Sequence, residues 1–520
     1  MTVLPSFVQD RWQTPEDAGR PVHDAVTGEE VARVSSSGVD MAAVLDHART
    51  VGGPALRVLT FRQRADLLDR LAAYLRDHRE ELYALSARTG ATLFDARFDV
   101  DGGLGVVKSY VALGRTELPD ATYLVEDAAR PLGRGKGTFL GQHVCVPLRG
   151  VAVQINAFNF PVWGPLEKLA QSLLAGVPSV IKPATPTAYV TARLVELVVA
   201  SGVLPAGAVQ LVCGGVGDLL DHLGEQDLLS FTGSADTALA LRNHPVVSAR
   251  AVRFNAEADS LNCSILGPDA APGTAEFDLF VDQVVTEMTV KAGQKCTAIR
   301  RAFVPAAVQE TVLEAVVDRL GGVRVGNPAD PDVRMGALAG LDQRDEVRAA
   351  ITRLRKAATV AFGDPDRVAA VDADDTRGAF LSPILLHGAD PDLEEPHSVE
   401  AFGPVCTVLP YASVEHVVDL AARGRGSLAG SLVTADPEIA RRVVLELAPW
   451  HGRFLVQTTA NAQESTGHGS PLPTLVHGGP GRAGGGEEMG GVRGVLHHMQ
   501  RTAVQADPDV LAALTGQVGP

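Results

Sequence analysis

Cys296 is the residue whose surroundings point most directly to chemistry. It lies in Lys291-Ala-Gly-Gln-Lys-Cys-Thr-Ala, a stretch of small and polar residues after the apolar run 280–285. A thiol acts as a nucleophile in its thiolate form, and a neighbouring cation such as Lys295 favours that form. A lone cysteine can equally be a small buried apolar side chain, so other segments must decide between the two interpretations.

Three other segments accompany the cysteine in chain order. They are Asn156-Ala-Phe-Asn-Phe-Pro161, Phe231-Thr-Gly-Ser234 and Glu400-Ala-Phe-Gly-Pro-Val405. Together with Gly-Gln-Lys-Cys, they resemble the signature segments of the aldehyde dehydrogenase superfamily. The resemblance runs from Thr60 to about Gln505 and therefore covers nearly the whole chain.

The resemblance implies a set of catalytic roles. Cys296 would add to the aldehyde carbon, and hydride loss would leave a thioester that water hydrolyses. The Cys296 backbone N–H and the Asn159 amide would stabilise the oxyanion. Glu257 would be the general base, but the usual Glu-Leu-Gly-Gly-Lys pattern is replaced here by Glu257-Ala-Asp-Ser. Asp259 is therefore a competing candidate for the base.

The expected nicotinamide site also follows from the resemblance, since no typical Gly-x-Gly-x-x-Gly fingerprint is present. Ser234 would contact the pyrophosphate at a helix N-terminus, and Lys182 would reach the adenosine ribose. Glu400 would bind the nicotinamide ribose, with Phe402 beside the ring. Thr185 stands where the family often has a glutamate that would repel a 2′-phosphate, so NADP is favoured over NAD.

Several segments are unusual for a general aldehyde dehydrogenase. They are residues 156–168, 257–262, 464–473 and 477–488. These segments resemble 3,4-dehydroadipyl-CoA semialdehyde dehydrogenases of aerobic benzoyl-CoA degradation. They also resemble the dehydrogenase half of the phenylacetate-degradation ring-opening enzyme, which acts on 3-oxo-5,6-dehydrosuberyl-CoA semialdehyde. A CoA-linked semialdehyde is therefore the expected substrate, with a CoA-acylating or general aldehyde dehydrogenase as alternatives.

Charged residues in these segments have two interpretations. Arg482, Arg493 and Lys168 could contact the CoA part of a substrate, or they could be ordinary surface charges. Glu167, with Glu487 or Glu488, could relay the proton taken by the general base, or Glu167 could form a structural salt bridge. The glycine-rich stretch 467–494 could be a flexible loop or an ordered, ligand-facing one.

Composition limits the class of protein. The 520 residues are 46% hydrophobic and 21% charged, which fits a globular protein of two or three domains. A formal net charge of −16 disfavours nucleic-acid binding. No apolar run reaches the ~18 residues of a membrane span, and no secretory signal is recognised. Five scattered cysteines argue against a metal site or a disulfide framework and favour the cytoplasm.

Alternating strand and helix patterns predict an α/β fold with parallel sheets. The resemblance to aldehyde dehydrogenases divides it into a Rossmann-like dinucleotide-binding domain (1–130 and 150–259), an α/β catalytic domain (260–480) and a small β oligomerisation arm (131–149 and 495–510). The arm predicts a homodimer or a larger homo-oligomer.

Overall fold

Two seven-stranded sheets form the framework in the computed structural model, which describes residues 3–134 and 137–516. The strands are β1 (Ser6–Val8), β2 (Arg11–Gln13), β3 (Arg20–His23), β4 (Glu30–Val34), β5 (Leu124–Pro131), β6 (Leu140–Pro147), β7 (Ala152–Ile155), β8 (Ser179–Lys182), β9 (Val209–Leu211), β10 (Leu228–Thr232), β11 (Arg253–Glu257), β12 (Cys263–Leu266), β13 (Arg301–Pro305), β14 (Thr359–Phe362), β15 (Ile384–His387), β16 (Val405–Tyr411), β17 (Ser427–Val433), β18 (His451–Gln457), β19 (Val476–Gly478), β20 (Glu487–Met489) and β21 (Met499–Ala506).

Helices cover the faces of these sheets. They are α1 (Met41–His47), α2 (Gly53–Arg57), α3 (Phe61–Asp77), α4 (Arg79–Ala87), α5 (Leu93–Thr116), α6 (Trp163–Ala175), α7 (Ala188–Ala200), α8 (Ala235–Arg242), α9 (Pro245–Ala249), α10 (Ala275–Thr289), α11 (Gln309–Gly321), α12 (Leu341–Leu354), α13 (Glu395–Ser398), α14 (Val414–Ala422), α15 (Pro437–Leu447), α16 (Val492–Leu496) and α17 (Pro508–Thr515). In the described ranges no helix combines the length and the apolar character that crossing a bilayer requires.

The first sheet has the order β11-β10-β7-β8-β9-β1-β2. Its strands from β11 to β9 are parallel, and β1 and β2 extend it in the antiparallel sense. On β7, Ala152 packs into one apolar cluster, while Val153 and Ile155 pack into another. Successive side chains on a strand point to opposite faces, so this buried strand contributes to a core on each side.

The second sheet has the order β14-β15-β16-β13-β12-β17-β18 and is parallel except for β14. On β16, Cys406 and Val408 pack on one face, while Leu409 and Tyr411 pack on the other. The predicted α/β fold with two parallel-rich sheets is therefore confirmed.

Strands β5, β6 and β21 form a separate antiparallel sheet in the order β21-β6-β5. All eight residues of β21 pair with β6, from Met499 opposite Pro147 to Ala506 opposite Leu140. Strand β5 begins at Leu124, inside the range predicted for the dinucleotide-binding domain. Gly135 and Lys136, which belong to the predicted arm, lie outside the described residues.

Candidate active site

The carboxyl ends of the parallel strands in the first sheet carry or precede several of the predicted site residues. The segment 156–161, which contains Asn159, follows β7, Lys182 ends β8, and Glu257 ends β11. Parallel strands bring such ends to one edge of a sheet, where ligands bind in open α/β folds. The fold therefore gathers residues that are far apart in the chain.

A left-handed turn brings Cys296 to this edge. Helix α10 ends at Thr289, and Lys291, Ala292 and Gly293 then adopt φ values of 55°, 50° and 66°. The two non-glycine residues carry a cost of about 1–3 kcal/mol each in this region. The Lys291 N–H donates to Asp95 Oδ1 at 2.8 Å, which anchors the turn to helix α5.

Asn262 holds the backbone of the cysteine segment from the other side. Its Nδ2 donates to the carbonyl oxygens of Cys296 at 2.8 Å and of Ala298 at 3.0 Å. Its Oδ1 accepts from the Ala429 N–H at 2.9 Å and from the Ser260 hydroxyl at 2.5 Å. The segment 257–262, which is unusual in sequence, therefore contains the amide that ties the cysteine segment to strands β12 and β17.

Cys296, Glu257 and His477 form the centre of the site. The cysteine sulfur, one carboxylate oxygen and one ring nitrogen lie within 4.8 Å of one another. His477 Nε2 is 3.1 Å from Glu257 Oε2, and both side chains are buried. These atoms are of the kinds that bind zinc, although the carboxylate already has the imidazole as its partner. His477 lies in the glycine-rich stretch 467–494, and no pattern in the sequence distinguishes it as a site residue.

Electrostatics at the centre differ from the sequence expectation. Burial raises the pKa of the Cys296 thiol well above its usual value, and the Glu257 carboxylate raises it further. The prediction that Lys295 favours the thiolate is wrong, because Lys295 Nζ forms a buried ion pair with Glu287 Oε2 at 2.8 Å. A proton acceptor next to the sulfur is therefore needed to form the thiolate, and the Glu257 carboxylate occupies that position.

Asn159 faces the same pocket as Cys296. Its Nδ2 donates one hydrogen bond to the Gln294 carbonyl at 3.0 Å, which fixes the plane of the amide. A primary amide has two N–H donors, so one remains for an oxygen bound near the cysteine. Gln294 Oε1 in turn accepts from the Ala339 N–H at 3.0 Å, which connects this region to the loop before α12.

Asp259, the competing candidate for the base, lies elsewhere. Its Oδ1 accepts from the Ala235 N–H at 2.9 Å, at the start of helix α8, and its Oδ2 lies 3.6 Å from Arg482. It lines the large groove next to the site but not the pocket around His477. Glu257 is therefore the carboxylate with the position of a base beside the sulfur.

Three buried charged residues surround this centre. Lys168 Nζ is 3.2 Å from Glu488 Oε2, and both residues line the pocket with Glu167. Trp163 Nε1–H donates to Glu167 Oε2 at 2.8 Å. Burial, together with the charges of Glu167 and Glu257, raises the pKa of Glu488 to about 8. Glu488 can therefore gain or lose a proton near neutral pH.

Glu487 does not belong to this group. It is half-exposed and forms an ion pair with Arg493 at 2.6 Å. Neighbouring residues on a strand point to opposite faces, so β20 directs Glu488 into the pocket and Glu487 towards the surface. Of the residues predicted for the proton relay, Glu167 and Glu488 therefore line the pocket, and Glu487 does not.

The predicted basic contacts to CoA do not form one patch. Lys168 is buried against Glu488, and Arg482 lines the large groove beside Asp259. Arg493 is an exposed residue paired with Glu487. The fold therefore places each of these three residues in a different environment, and contacts between them and CoA stay a prediction.

Aromatic side chains form the wall of the cysteine pocket. Phe98, Phe160 and Trp163 contact one another with ring centroids 5.6–6.0 Å apart. The pocket has a volume of about 50 Å³ and also includes Pro471 and Gly469 from the glycine-rich stretch. An apolar pocket this narrow suits a linear chain that leads to a small reacting group.

A larger groove of about 720 Å³ meets the other side of the cysteine. Its lining includes all five predicted cofactor residues, Lys182, Thr185, Ser234, Glu400 and Phe402, together with Cys296 and Glu257. This size and mixture of apolar and polar groups are typical of cofactor sites. Ser234 caps helix α8, where its Oγ accepts from the Thr237 N–H at 3.4 Å.

Glu400 is the groove residue whose hydrogen bonds point most directly to a ligand. Its Oε2 accepts from the Ser260 N–H at 3.2 Å, while its buried Oε1 has no hydrogen-bond partner within residues 3–134 and 137–516. Burial raises the pKa of Glu400 to about 7 although Arg300 is nearby. A ribose hydroxyl would satisfy this oxygen, so the residues present fit a nicotinamide dinucleotide.

Comparisons with known proteins identify relatives of this chain. The family model described as "Aldehyde dehydrogenase family" matches residues 12–504. The chain is 48% identical over 481 residues to the 3,4-dehydroadipyl-CoA semialdehyde dehydrogenase of Aromatoleum evansii, which covers 92% of this chain and 93% of the relative. An apo betaine aldehyde dehydrogenase variant from Staphylococcus aureus has a similar fold, with a TM-score of 0.84 at 24% identity over 97% and 95% of the two chains. An aldehyde dehydrogenase from Bacillus cereus, solved with NAD+, has a TM-score of 0.83 at 22% identity over 97% and 96%.

Proposed function

We propose a specific reaction for this chain, which belongs to the aldehyde dehydrogenase family. The chain is a nicotinamide-dependent aldehyde oxidoreductase, and we propose that it oxidises a CoA-linked semialdehyde of the 3,4-dehydroadipyl-CoA semialdehyde type with NADP. The observation that carries this substrate is the 48% identity, over 92% of the chain, to an enzyme with that name. The semialdehyde of phenylacetate degradation is the alternative from the sequence resemblance.

In the proposed first step, the Cys296 sulfur bonds to the aldehyde carbon while the thiol proton passes to Glu257. The carbonyl oxygen becomes an oxyanion between the Cys296 N–H and the second Asn159 N–H. The Asn159 amide is already held by the Gln294 carbonyl at 3.0 Å. Donors held in place before the reaction stabilise the oxyanion without reorganisation.

NADP, when bound, would accept the hydride from this adduct, which leaves a thioester on Cys296. In the chain itself, Glu400 Oε1, which lies 3.7 Å from Arg300 Nε but accepts no hydrogen bond from the described residues, would accept from a ribose hydroxyl, and Lys182 would contact the other ribose. Two observations support NADP over NAD: Thr185 is not the glutamate that the family often has there, and Arg353 lines the same groove. A guanidinium is suited to a 2′-phosphate, whereas Arg20 in this groove already lies 3.7 Å from Asp342.

In the proposed last step, Glu257 takes a proton from the water that attacks the thioester. The water oxygen bonds to the acyl carbon, the carbon–sulfur bond breaks, and the acid leaves. Before this step Glu257 must lose the thiol proton that it took in the first step, and Glu488 and Glu167 are the proposed route of that proton away from the centre. The water proton then passes from Glu257 to the released Cys296 thiolate. The pKa of Glu488 near 8 supports this role, because the residue can both accept and release a proton at neutral pH.

We also propose the domain division and the assembly predicted from the sequence. The two seven-stranded sheets support the dinucleotide-binding and catalytic domains. The arm supports a homodimer or a larger homo-oligomer, because the outer edges of β5 and β21 pair with no other strand among residues 3–134 and 137–516, and Phe139 and Val146 are exposed on the arm. A monomer in light scattering at micromolar concentration would contradict this assembly.

We further propose a cytoplasmic location, which the five free cysteines support.

The test of the reaction is NADPH formation with synthetic 3,4-dehydroadipyl-CoA semialdehyde, compared with the longer phenylacetate-pathway semialdehyde and with short free aldehydes. We expect kcat/KM to be at least about 100-fold higher for a CoA ester than for free aldehydes, which corresponds to about 2.7 kcal/mol. Equal values would overturn the CoA-linked substrate. If the product is the free acid and added CoA does not change it, the enzyme hydrolyses the thioester and does not transfer the acyl group to CoA. The same assay with NAD as the acceptor tests the cofactor preference.

A further inference from the structure

His477 is a buried imidazole in direct contact with the proposed general base. Its Nε2 is 3.1 Å from Glu257 Oε2, and its side chain is 4% exposed. Its other ring nitrogen, Nδ1, has no hydrogen-bond partner in the described part of the chain. A buried ion pair of this kind adds little to stability on its own, so its position beside the reacting sulfur points to a role in the reaction.

The backbone fixes His477 relative to the strand that carries Glu257. Strand β19 pairs with β20, with His477 opposite Glu488. The Glu487 N–H donates to Asn255 Oδ1 on β11 at 2.9 Å, and the Ala258 N–H donates to the Ala483 carbonyl at 3.0 Å. The glycine-rich stretch is thus bound to β11 on both sides of Glu257, and the imidazole is held at a set distance.

Glycine at position 478 is needed for this arrangement. Gly478 has φ of 140°, and a Cβ atom there would lie 2.1 Å from the Gly486 carbonyl oxygen. Any larger residue would force the two strands of the hairpin apart. Glycine at this position therefore allows the two strands of the hairpin to lie close together, which brings His477 and Glu488 to the centre.

We infer that His477 is a positioning residue, whose ring holds the Glu257 carboxylate beside the Cys296 sulfur and keeps that carboxylate charged between turnovers. The inference rests on the proposed role of Glu257 as the general base. It concerns a residue that acts through Glu257, and it requires no contact between His477 and the substrate.

The charges around Glu257 support this role. Five groups lie around Glu257: His477 on β19, Lys168 and Glu167 on α6, Glu488 on β20, and the Cys296 thiol. Arg453 on β18 acts on His477. Burial alone raises the pKa of Glu257, but His477 first and Lys168 second lower it to about 2. Burial lowers the pKa of His477, while Glu257 and then Glu167 raise it above its usual value. The contact therefore favours an imidazolium on His477 beside a carboxylate on Glu257.

The consequence appears in thioester hydrolysis. A proton moves from water to Glu257, and the proton then returns to the Cys296 thiolate that the breaking carbon–sulfur bond releases. Nothing is oxidised or reduced in this step. Beside a charged imidazole, protonated Glu257 is disfavoured, so the carboxylate is regenerated for the next turnover even in mildly acidic solution.

The test is the pH dependence of acyl-enzyme hydrolysis in single-turnover experiments on the full-length enzyme from pH 5.5 to 9. In the wild type, protonation of Glu257 should not lower the rate at the acidic end of this pH range. In His477→Asn, no imidazolium opposes the effect of burial on the pKa of Glu257. Buried carboxyl groups can have pKa values several units above normal. We expect the rate of the variant at pH 6 to be at least fivefold lower than its own rate at pH 8.5.

Two further variants separate the possible failures. His498→Asn is the matched control, because His498 is also a buried imidazole but bonds the Gly494 carbonyl at 3.1 Å, and its pH profile should match the wild type. Glu257→Gln should slow NADPH formation, because the thiol loses its proton acceptor, and it should block hydrolysis of the acyl-enzyme that does form. A His477→Asn profile parallel to the wild type overturns this inference alone if Glu257→Gln is blocked. Normal hydrolysis in Glu257→Gln overturns the proposed base and this inference with it.

A measurement on the intact site covers the case in which His477→Asn does not fold. In enzyme labelled with ¹⁵N-histidine, the His477 ring should stay protonated above pH 6.5 in the wild type and titrate at lower pH in Glu257→Gln. The same titration in both proteins would contradict the pairing. This readout does not depend on activity.

Discussion

Replacing Asn262 by alanine should damage both stability and catalysis, because this one amide joins the cysteine segment to two strands. The change removes four hydrogen bonds: those to the Cys296 and Ala298 carbonyls, and those from the Ala429 N–H and the Ser260 hydroxyl. Asn262 is fully buried, so water cannot replace them. At about 1 kcal/mol for each bond, the free energy of unfolding should fall by about 4 kcal/mol.

The catalytic effect follows from the position of the Cys296 carbonyl, which Asn262 holds at 2.8 Å. Without this bond the cysteine segment can shift, and a displacement of about 1 Å at a reacting atom can cost roughly 100-fold in rate. We expect kcat/KM for the preferred aldehyde to fall at least tenfold, measured at a temperature where the variant remains folded. The assay pairs NADPH formation with a urea unfolding midpoint.

Gln283→Ala provides the control. Gln283 on α10 is another buried amide, and its Nε2 donates to Ser431 Oγ at 2.8 Å and Ser264 Oγ at 3.2 Å, away from the cysteine segment. Its loss should lower the unfolding midpoint while leaving kcat/KM within about twofold. If Asn262→Ala behaves in the same way, losing stability but keeping its kcat/KM, the argument that Asn262 positions Cys296 is wrong.

Three further predictions concern the oxyanion, the cofactor and pH. Asn159→Ala should lower kcat by roughly 100- to 1000-fold, the usual effect of losing one oxyanion donor, while the Kd for NADPH measured by fluorescence should not change. Thr185→Glu should lower kcat/KM for NADP at least about tenfold with little loss for NAD, because a carboxylate repels a 2′-phosphate; equal effects on both cofactors would argue against this contact. Burial lowers the pKa of His451 to about 4, so the unfolded state binds more protons below pH 6.5, and stability should fall as the pH decreases. His451→Asn should remove about 2 kcal/mol of the loss between pH 7 and 5 in urea titrations.

Most of the framework could be predicted from local patterns. The apolar run before Asn156 predicts a buried strand, and β7 occupies Ala152–Ile155. The periodic stretch after Pro161 predicts a helix, and α6 occupies Trp163–Ala175. These elements follow from hydrophobic periodicity, which is a property of neighbouring residues. The order of strands in the sheets depends on contacts between distant segments and could not be obtained in this way.

For the candidate site as well, short segments predict some residues, and contacts between distant residues decide the others. The four signature segments identify Cys296, Asn159, Ser234, Glu400 and Phe402 as candidates, and the resemblance at 182–185 adds Lys182 and Thr185. The structure brings them to one pocket and one groove. Lys295 could not be placed from its position next to Cys296, because its partner Glu287 lies on α10. Glu487 and Glu488 are adjacent in the chain, and only the pairing of β20 shows which of them is buried.

The sequence by itself determined the family, the α/β class and the residue types that could perform the reaction, because these are encoded in short ordered segments. The tertiary structure alone decided that Glu257 rather than Asp259 lies beside the sulfur, and that His477 is its partner across 3.1 Å. It also showed that Asn262 holds the cysteine backbone. Those relations join residues far apart in the chain, and no local pattern encodes which distant side chain will share a buried space of low dielectric constant, where charges must find partners.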